Sequence, residues 1–138
     1  GRRFPWGETF HRRVANHGRL GWDRSVIVDG FAELAPVGSF PAGRTPEGFL
    51  DLAGNVAEWV SDLFSAPYPD RPVTDPLGPP HGFAPGATTF RVLRGGSFEL
   101  PAPFLRGAAR LPRDGSTRDP SIGFRCARSA TAAGVMAP

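Results

Sequence analysis

The chain contains no lysine. All 16 of its basic residues are arginine, so every fixed positive charge is a guanidinium. It has a single cysteine, Cys126. That rules out an intrachain disulfide, and no oxidising compartment is implied. No apolar run reaches the roughly 20 residues of a membrane span, and no secretory signal pattern opens the sequence. A membrane partner is therefore not expected, and a cytoplasmic setting is favoured. There is no initiator methionine, so Gly1 is expected not to be a natural start and the chain to be a piece of something longer. Arg94-Gly95-Gly96-Ser97 lacks the ending of a phosphate loop. His11, His17 and His81 lie scattered, without the i, i+4 spacing of a helical metal site, and read as surface or capping histidines.

Glycine and proline are plentiful, 18 and 16 of the 138 residues. A length of this order suits one domain, and this composition predicts a loop-rich rather than a helical one. Residues 1–13 read as an arginine-flanked turn with a buried aromatic at Pro5-Trp6-Gly7. A short strand is expected over 25–28, ending at the Asp29-Gly30 turn. Residues 66–89 carry seven prolines and read as a surface excursion. Strands are expected at 90–96, stopped by Gly95-Gly96, and at 123–128, where Cys126 would be a small buried hydrophobe. Residues 129–138 read as a loose tail. The three tryptophans, Trp6, Trp22 and Trp59, read as core. The stretch Asn55–Phe64 fits either a helix or a strand; Trp59 with Val56 and Val60 favours the strand.

Net charge is only +3, but eight of the arginines fall from Arg91 onward, against Glu99, Asp114 and Asp119. Such a patch could attract an anionic ligand or nucleic acid. The arginines alternate with proline and glycine instead of forming a run. A structural role, forking onto carbonyls and carboxylates, is the expected one, and nucleic acid is not.

The segment FLDLAGNVAEWVSD, residues 49–62, places Asp51 and Glu58 seven positions apart around a Gly-Asn turn. Nothing suggests the contrasting environments of an acid/base pair. Hard oxygens converging on a calcium ion are a better reading, because calcium accepts carboxylates and backbone carbonyls together.

Seven phrases, in order, resemble the formylglycine-generating enzyme family, the sulfatase-modifying-factor domain. They are RRFPWG (2–7), VAN (14–16), APVGSFPAG (35–43), GFLDLAGNVAEW (48–59), RVLRGGSF (91–98), RGAAR (106–110) and IGFRCAR (122–128). The resemblance implies an α+β, loop-rich, C-type-lectin-like fold with short antiparallel strands and few helices, and a strand over 55–62. Residues 1–128 would form the C-terminal half of such a domain. The missing N-terminal half, on the same protein or a separate chain, would be the expected partner for the apolar surface a half domain exposes.

The resemblance also implies up to two structural calcium ions. One would lie on the side chains of Asp51 and Glu58 with the carbonyls of Gly54 and Val56. The second, expected to be weaker, would lie on Asn16 with the His17 carbonyl and Asp29 with the Phe31 carbonyl. Without metal, each would be a turn held by Asx hydrogen bonds. The family's oxidases carry two copper-binding cysteines soon after the GGS phrase. Here Leu100 falls about where the first belongs, and the second has only apolar or proline neighbours, so no copper is expected. A Trp-Asp pair that related sulfoxide-forming enzymes present to substrate is Ala108-Ala109 here. The leading expectation is a non-catalytic ligand- or protein-binding module of a larger bacterial-type protein. Ser97 and Phe98 would line a cleft, and Arg106, Arg110 and Arg113 would be available for a protein or a small anionic ligand. The alternative is a nonheme-iron or formylglycine-generating oxidoreductase with its metal ligands in the missing half. A hypervariable display domain ranks last, because residues 99–121 contain no asparagine.

Overall fold

The computed structural model describes residues 1–18, 29–65, 72 and 90–127. The expected strand at 25–28, Trp22, His81, most of the proline-rich excursion and the tail fall outside these residues.

Among the described residues four short strands form one sheet: β1 (Ala57–Leu63), β2 (Phe90–Arg94), β3 (Leu111–Asp114) and β4 (Ile122–Gly123), in the order β3-β2-β1-β4. The pairs β1/β2 and β2/β3 are antiparallel, but β1/β4 is parallel, so the sheet is mixed rather than wholly antiparallel. The only helices among the described residues are two 3-10 turns, Pro41–Gly43 and Ala102–Leu105, each with proline in its first positions, where a missing N–H costs nothing. No helix among the described residues is long and apolar enough to cross a membrane.

The ambiguous stretch at 55–64 is therefore a strand. It is also irregular: from Trp59 to Leu63 it advances four residues while its partner β2 retreats only from Leu93 to Arg91. Arg91 donates to the Ser61 carbonyl within that bulge, at 3.3 Å. β2 buries both Val92 and Leu93, as a strand with neighbours on either side does, and ends where Gly95 and Gly96 take positive φ. β3 was not legible in sequence because Pro112 interrupts it; proline is tolerated there because β3 is an edge strand. The closing strand is shorter than the sequence suggests, two residues rather than six, because Arg125 turns back toward the 49–58 loop instead of continuing the ladder. Cys126 is consequently exposed rather than buried.

β4 is delivered to β1 by the turn at Asp119. Its carboxylate accepts from the Ser121 hydroxyl (2.6 Å) and N–H (2.8 Å), and the Ser121 carbonyl accepts from Ala57. The Ser121 hydroxyl and then its N–H hold the Asp119 pKa below the ordinary 3.8. A depressed carboxyl stabilises the fold above its unfolded value and loses that contribution as pH falls through the folded one. Asp119→Asn is expected to lower stability at neutral pH by about 1 kcal/mol or less. The difference from wild type should vanish in melts below the Asp119 pKa.

The core is small. Phe4, Ala15, Ala53 and Leu105 form its centre, with Trp6 and Phe10 packed against it. At the Pro5-Trp6-Gly7 turn it is Phe4, stacked on Trp6 at 5.3 Å, that is buried most deeply. Polar groups share the interior: Asn16, His17, Thr45, Ser97 and Ser121 are all buried. Arginines donate single hydrogen bonds to carbonyls: Arg94 to Gly107, Arg106 to Pro103, Arg110 to Ser65, Arg113 to Pro112.

Candidate metal centre and ligand cleft

Asn16 sits at the centre of the buried run Val14–Gly18 and is 1% exposed. Its amide nitrogen donates to the Glu33 carbonyl (2.7 Å) and to Asn55 Oδ1 (3.0 Å). Two acceptors on that side fix the orientation of the amide. The other end, Asn16 Oδ1, is the one buried side-chain polar atom without a partner among the described residues. Leaving such an acceptor bare costs roughly 1–3 kcal/mol. Asp29 is tied to the residue that follows Asn16: its carboxylate accepts from the His17 N–H (2.7 Å) and the Phe31 N–H (3.0 Å). Asn16, His17, Asp29 and Phe31 are thus brought together, and the bare amide oxygen fits a hard cation. Among the described residues no cluster of three or more His, Cys, Asp or Glu could hold a metal. One carboxylate with amide and carbonyl oxygens suits calcium, not a transition metal.

His17 contradicts its reading as a surface or capping residue. It is buried, edge-on to Phe10, with Nδ1 and Nε2 each 3.2 Å from a carbonyl, those of Gly18 and Arg12. Its ring is engaged by the backbone on both sides.

Asn55 is a residue whose importance sequence reading missed. It takes φ +63°, and its side chain bonds Ala35 on both N–H (3.0 Å) and C=O (3.1 Å) while receiving Asn16. Its backbone joins Asn16 to Phe98. The only sequence signal was an asparagine in a Gly-Asn turn, a residue that tolerates left-handed backbone.

The expected set around Asp51 and Glu58 is arranged differently. The Asp51 carboxylate accepts from the Gly38 N–H at 2.7 Å. The Glu58 carboxylate is held by Arg125, whose Nε lies 2.9 and 2.7 Å from its two oxygens. The same guanidinium donates to the carbonyls of Leu50 (3.1 Å) and Asp51 (2.6 Å). The Glu58 hydrogen bond raises the Arg125 pKa above its ordinary value, against a smaller opposing effect of burial. Gly54 donates to the Gly95 carbonyl, and Val56 leads into β1. Of the four ligands expected in this set, the Glu58 carboxylate meets Arg125 and the Asp51 carboxylate meets Gly38.

Glu58 and Arg125 form one wall of a cleft of about 900 Å³, whose other sides include Trp59, Arg94, Leu105 and Arg106. Arg106 and Arg110 share a shallower depression beside Phe64, over whose ring Arg110 lies at 5.1 Å. Arg113 sits apart, on the edge strand β3. Ser97 and Phe98 are buried and line neither cleft; Ser97 Oγ accepts from the Glu99 N–H instead.

Comparison with known proteins places this arrangement in context. The family model for the sulfatase-modifying factor enzyme 1-like domain matches residues 1–130. The formylglycine-generating enzyme of Streptomyces coelicolor is 36% identical over 139 residues, which cover 94% of this chain and 41% of that protein. The Bos taurus formylglycine-generating enzyme is 31% identical, covering 91% and 33%. The serine/threonine-protein kinase Pkn1 of Chlamydia trachomatis is 32% identical, covering 93% and 18%. Among solved structures, Treponema denticola variable protein 1 matches with a TM-score of 0.63 at 26% identity, over 81% of this chain and 34% of that one. PvdO from Pseudomonas aeruginosa matches with a TM-score of 0.60 at 29% identity, over 88% and 42%. The chain spans less than half the length of each of these relatives.

Proposed function

The chain belongs to the sulfatase-modifying factor enzyme 1-like domain family, and on that premise we propose that it is part of a non-catalytic, calcium-stabilised recognition module with a C-type-lectin-like fold. The observation that carries this reading is the composition of the segment after Gly95-Gly96-Ser97. Where the resemblance places two copper-binding thiolates, this chain has leucine and proline, and Leu105 there is fully buried in the apolar core. Soft thiolates are what would hold Cu(I). The single thiol, Cys126, lies on a different segment. Family membership does not restore the chemistry, since function resides in the site rather than the fold. Matching a protein kinase as well as formylglycine-generating enzymes supports treating the domain as a part used in different proteins.

Recognition would take place at the cleft bounded by Trp59 and Arg106 and the adjoining depression at Arg110, with guanidinium forks meeting an anionic group on a protein or small molecule. The remaining half of the domain is the partner we propose for the exposed apolar side chains, of which Val37 (86%) and Phe124 (76%) are the most exposed. Calcium would be held by Asn16, Asp29 and the carbonyls of His17 and Phe31. Its role is to neutralise Asp29, satisfy the bare amide oxygen and tie the two segments together.

Two titrations test the reading. Anaerobic Cu(I) titration should give no tight dithiolate site; a stoichiometric high-affinity complex would return the chain to the oxidases. Stripping calcium with EDTA should lower the melting temperature by roughly 10 °C if the ion is present at about 100 times its dissociation constant. Asn16→Ala should melt lower and be indifferent to EDTA. An EDTA-insensitive wild type would remove calcium from the account.

A further inference from the structure

We propose that the cleft beside β1 takes a phosphate monoester with an aromatic body, its head group held by Arg2 and Arg106. This rests on the reading of the cleft as a recognition site and adds the chemistry of its ligand. Among the described residues, five charged side chains line the cleft: the arginines Arg2, Arg94, Arg106 and Arg125, and a single acid, Glu58. Glu58 is engaged by Arg125. The remaining lining charge is therefore all of one sign, and such a cleft concentrates ions of the other sign.

Gly107 is the junction that brings the arginines to one place. Its N–H donates to the Arg3 carbonyl at 2.9 Å, which lays residues 106–107 beside residues 2–3. Its carbonyl accepts from Arg94 Nη1 at 3.0 Å. Arg106 and Arg2 then reach the cleft from different segments with donors to give. Arg106 uses its Nε on the Pro103 carbonyl (3.1 Å), and among the described residues neither of its Nη groups has a partner. Arg106 also borders the depression at Arg110. Arg2 gives only Nη2, to the two Glu47 oxygens. That ion pair is exposed on both sides, 42% and 55%, and an exposed pair of this kind is weak and readily exchanged.

The donor set selects the head group. A carboxylate has two oxygens in one plane, and a single guanidinium fork satisfies them. Two guanidiniums on separate segments suit an anion with more oxygens and more charge. A phosphate monoester brings three acceptor oxygens and about two negative charges. The rest of the lining selects the body. Pro5, Leu52 and Trp59 are half-buried on the cleft, and its volume of about 900 Å³ admits an aromatic ring beside the head group.

The test is isothermal titration of the full-length protein, at constant calcium, with phenyl phosphate, phenyl sulfate and benzoate. Phenyl phosphate should bind about tenfold more tightly than benzoate, with phenyl sulfate between them. Arg106→Gln should weaken phenyl phosphate about tenfold, and Arg2→Gln by a smaller factor. Glu47→Gln removes the competitor for Arg2 and should strengthen it. Breaking the Arg2–Glu47 pair from either side would disturb the fold alike, so opposite signs in these two variants report on the ligand. Benzoate or phenyl sulfate binding as tightly as phenyl phosphate would overturn the proposal and keep the cleft as a recognition site. An affinity for phenyl phosphate unchanged by Arg106→Gln would also overturn it. Failure of all three ligands to bind would overturn both the proposal and the reading it rests on.

Discussion

Asn55→Ala is expected to destabilise the protein by roughly 3–5 kcal/mol, enough to threaten a domain whose whole stability is of order 5–15 kcal/mol. Two costs combine. Alanine at φ +63° meets the left-handed penalty of about 1–2 kcal/mol. The rest comes from the lost side chain, which leaves the Ala35 N–H and C=O and one of the two Asn16 amide N–H groups without their partner. Each such orphan costs about 1–3 kcal/mol if water cannot reach it. Asn55→Asp keeps the acceptor and the tolerance for positive φ, but loses the donation to Ala35 and sets a carboxylate oxygen against that carbonyl. Urea denaturation should therefore place it between wild type and alanine. Equal midpoints for Asn55→Ala and wild type would contradict Asn55 as the hub joining residues 16, 35 and 98.

Gly54→Ala should be at least as damaging, on the order of 4 kcal/mol, from overpacking added to backbone strain. A Cβ built on Gly54 would lie 2.2 Å from the Asn16 carbonyl oxygen, and the residue itself sits at φ +82°. That oxygen accepts the Asn55 N–H at 2.7 Å, so it cannot retreat without breaking the junction. The obstacle is main chain rather than the end of a flexible side chain. Expression of a folded Gly54→Ala protein with a wild-type melting temperature would show that the close approach of residues 16 and 54 is wrong.

Neither effect was visible in the composition or periodicity, and the reason is physical. Strands with apolar centres announce themselves: Phe90–Arg94 was legible from its apolar residues and its Gly-Gly stop, and Ala57–Leu63 from Trp59 with its neighbouring valines. β3 was not, because an edge strand needs few ladder bonds and can contain Pro112. The oxygen-rich residues of the candidate metal centre were legible as types in two turns. Which of them converge depends on contacts between distant segments. Asn16 reaches Asn55 across 39 positions and Arg125 reaches Glu58 across 67. No local pattern records such a pairing. The arginine that the closing segment delivers to Glu58 was likewise not legible beside Asp51 and Glu58 in the sequence. Ser97 and Phe98 were placed at a cleft by resemblance, whereas the turn after Gly96 folds both inward.

The most direct test of the account is the number of calcium ions bound per chain, taken by isothermal titration of EDTA-stripped wild type and repeated on Asn16→Ala. A wild type that binds calcium and a variant that binds one ion fewer is the predicted result, because the bare Asn16 oxygen takes a divalent cation. No ion on the wild type, or the same count on the variant, would contradict it.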